Sequence, residues 1–184
     1  MLREAVRLGT ELGRRADPIM KSGALVPDEL VIGIIRDRLG WDDARKGFVL
    51  DGFPRTEAQA AALDAMLHES GIRLDAAVLI DVPVEVIVER IAGRRSCPAC
   101  NGVFHVEAKR PKVEGVCDGC GSELVLRADD RPEATRVRIA TYDEKTAPLV
   151  EWYRGRGLLK VVDGTRPIDE VAGEVSRTVG GAGA

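Results

Sequence analysis

All four cysteines of this chain fall in one stretch, as Cys97-Pro98-Ala99-Cys100 and Cys117-Asp118-Gly119-Cys120, with 16 residues between the pairs. Two CxxC knuckles at that separation can wrap four thiolates tetrahedrally around one Zn²⁺. A shell closed by four protein ligands leaves no position for substrate, so such a metal is structural. Two disulfides are the competing reading, but nothing in the sequence points to an oxidising compartment. A redox CxxC would follow a strand and open a helix, and neither pair does. His105 lies close by in sequence. With four thiolates completing the shell, it is expected to pack or to face solvent. Over residues 95–131 Cys, Gly and Pro are frequent and no hydrophobic period survives, so this stretch reads as an inserted module.

Outside the insert the pattern alternates. Gly47-Phe48-Val49-Leu50-Asp51-Gly52 and Ala76-Ala77-Val78-Leu79-Ile80-Asp81-Val82 are short apolar runs that read as buried strands, and Leu158-Leu159-Lys160-Val161-Val162-Asp163-Gly164 is a third. Continuous apolar runs of this length suit parallel strands covered on both faces. Helical patterns lie between them. Thr56 and Gln59 have capping-box spacing ahead of an Ala-rich run, with Gly71 placed as a C-cap glycine. Pro27 and Pro83 open two more helices, a long polar helix is expected over residues 131–152, and residues 168–179 close the chain. Gly180 to Ala184 read as a frayed tail. The sum is an open α/β sheet with flanking helices.

With 184 residues, 45% of them apolar, the chain can form a core without staples. Its net charge of −3 argues against a general binder of nucleic-acid backbone. The longest apolar run, Ala76 to Ile80, is far short of the ~20 residues a membrane span needs. Met1-Leu2-Arg3-Glu4 places charge where a signal peptide needs apolar residues. A soluble, cytoplasmic monomer without nucleic-acid or membrane partners is expected.

Two sets of residues carry chemistry. Asp51-Gly52-Phe53-Pro54-Arg55-Thr56 joins an expected strand to a helix, at the kind of strand end where α/β sheets bind ligands. Gly52 permits close backbone approach, Arg55 can fork onto a phosphate, and Asp51 can hold a hydrated Mg²⁺. An ordinary strand-to-helix turn is the alternative. Arginines also gather at the borders of the insert. Arg90 and Arg94 are spaced to share a helix face, Arg127 precedes Asp129-Asp130, and Arg136 and Arg138 follow. Arginines at both hinges of a stapled flap suit a device that closes over polyphosphate.

On these motifs the sequence resembles the adenylate kinases, in their bacterial long-lid form with a zinc-binding lid. The matching stretches include Met1-Leu2-Arg3-Glu4-Ala5-Val6, Leu25-Val26-Pro27-Asp28-Glu29-Leu30-Val31, residues 47–56, Val88 to Arg95, Thr146-Ala147-Pro148-Leu149 and Val162-Asp163-Gly164-Thr165. The resemblance implies ATP + AMP ⇌ 2 ADP with Mg²⁺. It implies Arg3 and Arg55 on the AMP phosphate, Val26 and Gly52 against AMP, and Gln59 reading adenine. Arg90 would lie on the ATP base, with the Arg166 carbonyl at its edge. Arg94, Arg127 and Arg138 would surround the transferring phosphoryl group, and Asp51 would orient a magnesium-bound water. Cys97, Cys100, Cys117 and Cys120 would hold the lid zinc. The implied organisation is residues 1–26 in the remainder of the monophosphate-binding lobe, 27–93 and 131–184 in the α/β core, and 94–130 in the lid.

The resembled family also carries an opening strand and a G-x-x-x-x-G-K-[ST] phosphate loop, and this sequence has no Gly-Lys dipeptide. The implied fold is therefore a P-loop NTPase-like parallel sheet, of the nucleoside monophosphate kinase kind, with flanking helices and a small zinc-ribbon lid. In these 184 residues that sheet is expected to be incomplete, because strands 1 and 2 are missing. A low-stability chain with little kinase activity is the corresponding expectation, as is a start upstream of Met1. The alternatives are a non-catalytic AMP-binding remnant, another nucleoside monophosphate kinase, and a zinc-ribbon nucleic-acid binder resting on Lys109, Arg110 and Lys112.

Overall fold

The computed structural model describes residues 1–180, and residues 181–184 of the expected tail lie outside the described residues. In chain order the elements are α1 (Leu2–Arg7), α2 (Glu11–Ser22), α3 (Asp28–Leu39), α4 (Glu57–Glu69), β1 (Ala77–Asp81) and α5 (Val84–Gly93). There follow β2 (Arg94–Ser96), β3 (Val103–His105), α6 (Pro132–Thr141), α7 (Pro148–Arg154), β4 (Leu159–Asp163) and α8 (Ile168–Gly180). They form two compact units, one of Met1–Leu25 with Pro83–Ile139, the other of Val26–Val82 with the chain from Ala140 onward.

In the second unit β1 and β4 pair in parallel, from Ala77 opposite Leu159 to Asp81 opposite Asp163. α4 is the organising helix. Leu63, Met66 and Leu67 pack with Ile35 of α3 and with Phe53, while Ala60 packs with Leu149 and Tyr153 of α7 beside Ala77 and Leu159. Burying each such large side chain contributes roughly 1.5–3 kcal/mol. The ends of α4 follow the sequence signals. The Thr56 hydroxyl accepts the Gln59 N–H at 3.1 Å. Gly71 adopts φ +66°, with Gly71 N–H on the His68 carbonyl and Ile72 N–H on that of Leu67. That double closure is a Schellman end, and its left-handed residue favours glycine.

In the first unit α1 and α2 form a tight pair, where a Cβ at Gly13 would collide with the Ala5 carbonyl. β2 and β3 make a short antiparallel hairpin, Arg94 opposite His105. The apolar cluster of the insert is only Cys97, Phe104, Cys117 and Leu124. So small a cluster cannot offset the ordering of its loops, which is the situation in which a bound metal supplies folding free energy.

Three local expectations differ from what is observed. Gly47 to Gly52 forms no strand and joins no ladder among the described residues. Phe48 and Leu50 turn onto the α3–α4 core while Val49 is 85% exposed, so the run is buried on one side only. The helix expected over residues 131–152 is two helices joined by a π turn at Tyr142–Thr146, where the Ala147 N–H reaches back to the Tyr142 carbonyl. Pro148 has no N–H to continue the α ladder, and the wider turn accommodates it. Arg94 does not share the helix of Arg90: α5 ends at Gly93, and Arg94 is extended at φ −69° and ψ 137°. A Cβ at Gly93 would strike the His105 ring, so the chain can bend there only around glycine.

Candidate functional site

Four of the expected arginines meet in the first unit around two buried acids. Asp129 and Asp130, only 8% and 3% exposed, sit in a 3-10 turn at Ala128–Asp130. Arg94 Nε donates to Asp130 Oδ2 at 2.8 Å, and its Nη2 donates to Oδ1 of the same carboxylate. Arg138, from α6, donates to Asp130 Oδ1 at 3.2 Å and to the Asp129 carbonyl at 3.3 Å. Arg3, from α1, donates to Asp129 Oδ2 at 2.5 Å. Three separate elements are thus tied to one turn.

The electrostatics leave positive charge over. Burial would raise the Asp129 pKa, but the Arg3 hydrogen bond and the charges of Arg3 and Arg138 prevail and hold it below the usual carboxylate range. The Asp130 hydrogen bond raises the pKa of Arg94. Arg127 is the exception. Its half-buried guanidinium makes no ion pair among the described residues, and its pKa is lowered by burial and by repulsion from Arg3 and Arg94. Four guanidinium groups against two carboxylates give a net excess of two positive charges, and an anion there relieves the repulsion on Arg127.

In the second unit the expected turn forms a compact hydrogen-bonded knot. Gly52 takes φ +71°, and the Arg55 Nε donates to its carbonyl at 2.7 Å. The Phe53–Pro54 peptide is cis. The Gln59 side chain accepts the Arg55 N–H at 2.8 Å and donates to Asp28 Oδ1 at 2.7 Å, while the Thr56 hydroxyl donates to Asp28 Oδ2 at 2.8 Å. Asp51 is exposed beside this knot, and Val26 is buried two residues before Asp28. Arg166, at the start of the chain running into α8, is held by Glu174 and lies 3.8 Å from Asp163. Arg90 is exposed on α5. Arg3 therefore joins Arg94, Arg127 and Arg138 in the first unit, whereas Gly52, Arg55 and Gln59 gather in the second.

The four cysteines are free thiols whose Sγ atoms all lie within 4.8 Å of one another. Cys97 and Cys120 are 3.3 Å apart, Cys100 and Cys117 3.5 Å. Ligands at ~2.3 Å from a tetrahedral zinc stand about 3.8 Å from each other, so the set fits a metal of that kind. The two knuckles are built alike. Asn101 N–H returns to the Cys97 carbonyl and Gly121 N–H to that of Cys117, with φ +60° at Asn101 and +73° at Gly121. Ser122, through its hydroxyl and its backbone, lowers the Cys120 thiol to about 6, while against the Gly102 backbone the neighbouring thiols raise that of Cys100 to about 12. His105 does not join them: its Nδ1 accepts the Glu107 and Ala108 N–H groups, and its ring covers Gly93.

From the sequence Asp28 reads only as an acid at the positive end of its helix, and Asp129 and Asp130 carry no expected role. The signal for the last two was two adjacent acids bracketed by Arg127 and Arg131, a pattern that reads equally well as solvated surface.

Parallel strands, an arginine cluster with surplus positive charge and a four-thiol lobe define an α/β protein with a site suited to anions. A family profile described as adenylate kinase matches residues 1–158. The chain is 50% identical to the adenylate kinase of Moorella thermoacetica over 180 residues, 98% of this chain and 83% of that protein. It is 51% identical to that of Agathobacter rectalis over 171 residues, 93% of this chain and 80% of the relative. With that of Archaeoglobus fulgidus the identity is 50% over 175 residues, covering 95% and 81%. The chain belongs to the adenylate kinase family and has its P-loop NTPase-like fold. Among the described residues no helix is long and apolar enough to cross a membrane.

The Arg3–Asp129 bond sets an acid limit on stability. Because the folded pKa of Asp129 is depressed, its contribution is complete above the unfolded value of ~3.9 and is lost as pH falls through the folded value. Thermal melting from pH 7 to pH 2 is expected to show a steeper acid loss in the wild type than in Asp129→Asn. Identical acid limbs would contradict the assignment.

Proposed function

We propose that this chain serves the reversible transfer ATP + AMP ⇌ 2 ADP. Family membership supports the reaction, and the arginine cluster tied to Asp129 and Asp130 is the observation that carries it. A phosphate of AMP is already anionic, so no general base is needed. The reaction requires alignment, neutralisation of charge and exclusion of water.

Arg94 and Arg138 are held in place by Asp130, and hydrogen bonds to that carboxylate use two of the five donors of Arg94. The remaining donors, with Arg127, neutralise the phosphoryl group in transfer. Arg3 and Arg55 take the AMP phosphate, Val26 and Gly52 border the nucleotide, and Gln59 reads the adenine edge. Arg90 and the Arg166 carbonyl meet the ATP base. Asp51 orients a water of the Mg²⁺ that accompanies ATP. Bound with ATP, Mg²⁺ would supply positive charge to the phosphates. Residues 94–130 act as a lid whose four thiolates take zinc as a structural ion and whose closure excludes water. Residues 1–26 and 27–93 with 131–184 act as the monophosphate-side remainder and the core.

The 184 residues contain no Gly-Lys dipeptide and hence no G-x-x-x-x-G-K-[ST] loop. We read the chain as it stands as weak toward ATP and impaired in turnover, with AMP recognition retained. The intact knot of Asp28, Arg55 and Gln59 favours this second, AMP-binding reading.

Calorimetry is expected to show AMP binding to the purified chain, weakened roughly tenfold or more in Arg55→Ala by loss of a charge-assisted phosphate contact. A coupled assay is expected to show little turnover. Absence of AMP binding, or full affinity in Arg55→Ala, would contradict the reading. Elemental analysis is expected to find about one zinc per chain, and its removal by chelator to lower the melting temperature. A metal-free chain with unchanged melting would count against the structural ion.

A further inference from the structure

We infer that Asp28 is a specificity-determining positioning residue, which locks the Gln59 carboxamide so that its free edge matches a 6-aminopurine and rejects a 6-oxopurine. The inference rests on the reading of Gln59 as the group that meets the base, and concerns what gives that group its direction.

A carboxamide has two N–H donors and an oxygen with two lone pairs. In Gln59 one donor is taken by Asp28 Oδ1 at 2.7 Å and one lone pair by the Arg55 N–H at 2.8 Å. What is left on the carboxamide is one N–H and one lone pair, a donor and an acceptor. That edge complements adenine, whose N1 accepts and whose exocyclic amine donates. In a 6-oxopurine the same two positions are reversed: N1–H donates and O6 accepts. Gln59 can meet it only by turning its amide through half a revolution.

The surroundings forbid that turn. It would set the amide oxygen against the Asp28 carboxylate, which only accepts, and the amide NH₂ against the Arg55 N–H, which only donates. Asp28 cannot swing away, because its other oxygen holds the Thr56 hydroxyl at 2.8 Å. The Arg55 peptide is fixed in turn, since its carbonyl accepts the Thr146 hydroxyl at 2.8 Å. Gln59 is 2% exposed, so water does not replace the two lost partners. A buried donor and acceptor left unpaired is what makes a polar site reject the wrong partner strongly.

The test is equilibrium binding of AMP and of inosine monophosphate, its 6-oxo analogue, measured by calorimetry on the chain and its variants. The wild type is expected to prefer AMP by roughly 100-fold. Asp28→Asn and Asp28→Ser place side chains that donate as well as accept, which lifts one of the two bars to the turn and leaves only the Arg55 N–H. In either variant the preference is expected to fall by roughly tenfold or more, chiefly through tighter inosine monophosphate binding. Thr56→Val removes the carboxylate's other partner and the cap of α4; it is expected to lower the melting temperature and, by letting Asp28 swing away, to weaken the preference as well. AMP binding with an undiminished preference in a folded Asp28 variant would overturn the lock and leave Gln59 as base reader. A wild type that does not bind AMP, or does not distinguish the two nucleotides, would overturn the reading of Gln59 and the lock together.

Discussion

Two adjacent buried carboxylates, Asp129 and Asp130, hold together arginines that would otherwise drive one another apart. Arg3 comes from α1, Arg94 from the start of β2 and Arg138 from α6, and each donates to this one turn. Neither side of the arrangement stands without the other. A buried acid without a guanidinium partner is strongly destabilising, and four guanidinium groups without the acids repel. Because the acids are fewer than the arginines, the folded cluster retains surplus positive charge and a member, Arg127, that burial and its neighbours disfavour as a cation. The work of gathering the cations is done by folding, so their donors are aimed before any anion arrives.

The second unit uses the same device on a smaller scale. Asp28 fixes Thr56 and Gln59 at the mouth of α4, and through Gln59 the peptide of Arg55. In both units an acid sets the direction of several neighbouring donors. The cysteine lobe follows a different rule: its apolar cluster is too small to order residues 94–130 by itself, and four converging sulfurs supply the means for a metal to do so.

What the sequence made legible follows from how local the signals are. The cap of α4 at Thr56, its glycine end at Gly71 and the turn of each cysteine knuckle rest on contacts within a few residues, and all are present; the strands at Ala77–Asp81 and Leu159–Asp163 were legible as apolar runs, although the ladder that joins them is long-range. The helix pair α1 and α2 was not legible as elements, although Thr10 caps the second and Gly23 ends it, because Pro18 interrupts the pattern. The run at Gly47 reads as a strand by composition, yet a strand needs a ladder, and no local pattern reports one. Asp129 and Asp130 look like surface acids until Arg3, more than a hundred residues earlier in the chain, closes on them. Long-range pairing of this kind leaves no local period to read.

The central claim is that Asp130 acts by aiming arginines, and it opposes simple electrostatics in sign. Replacing Asp130 by Asn keeps the shape and adds one positive charge to the cluster. If net charge governed binding, inorganic tripolyphosphate would bind more tightly to that variant at low salt. If the carboxylate orders Arg94 and Arg138, the affinity falls despite the added charge. Calorimetric titration of tripolyphosphate into wild type and Asp130→Asn at matched ionic strength decides it: weaker binding by the variant is predicted, and equal or tighter binding would contradict the account.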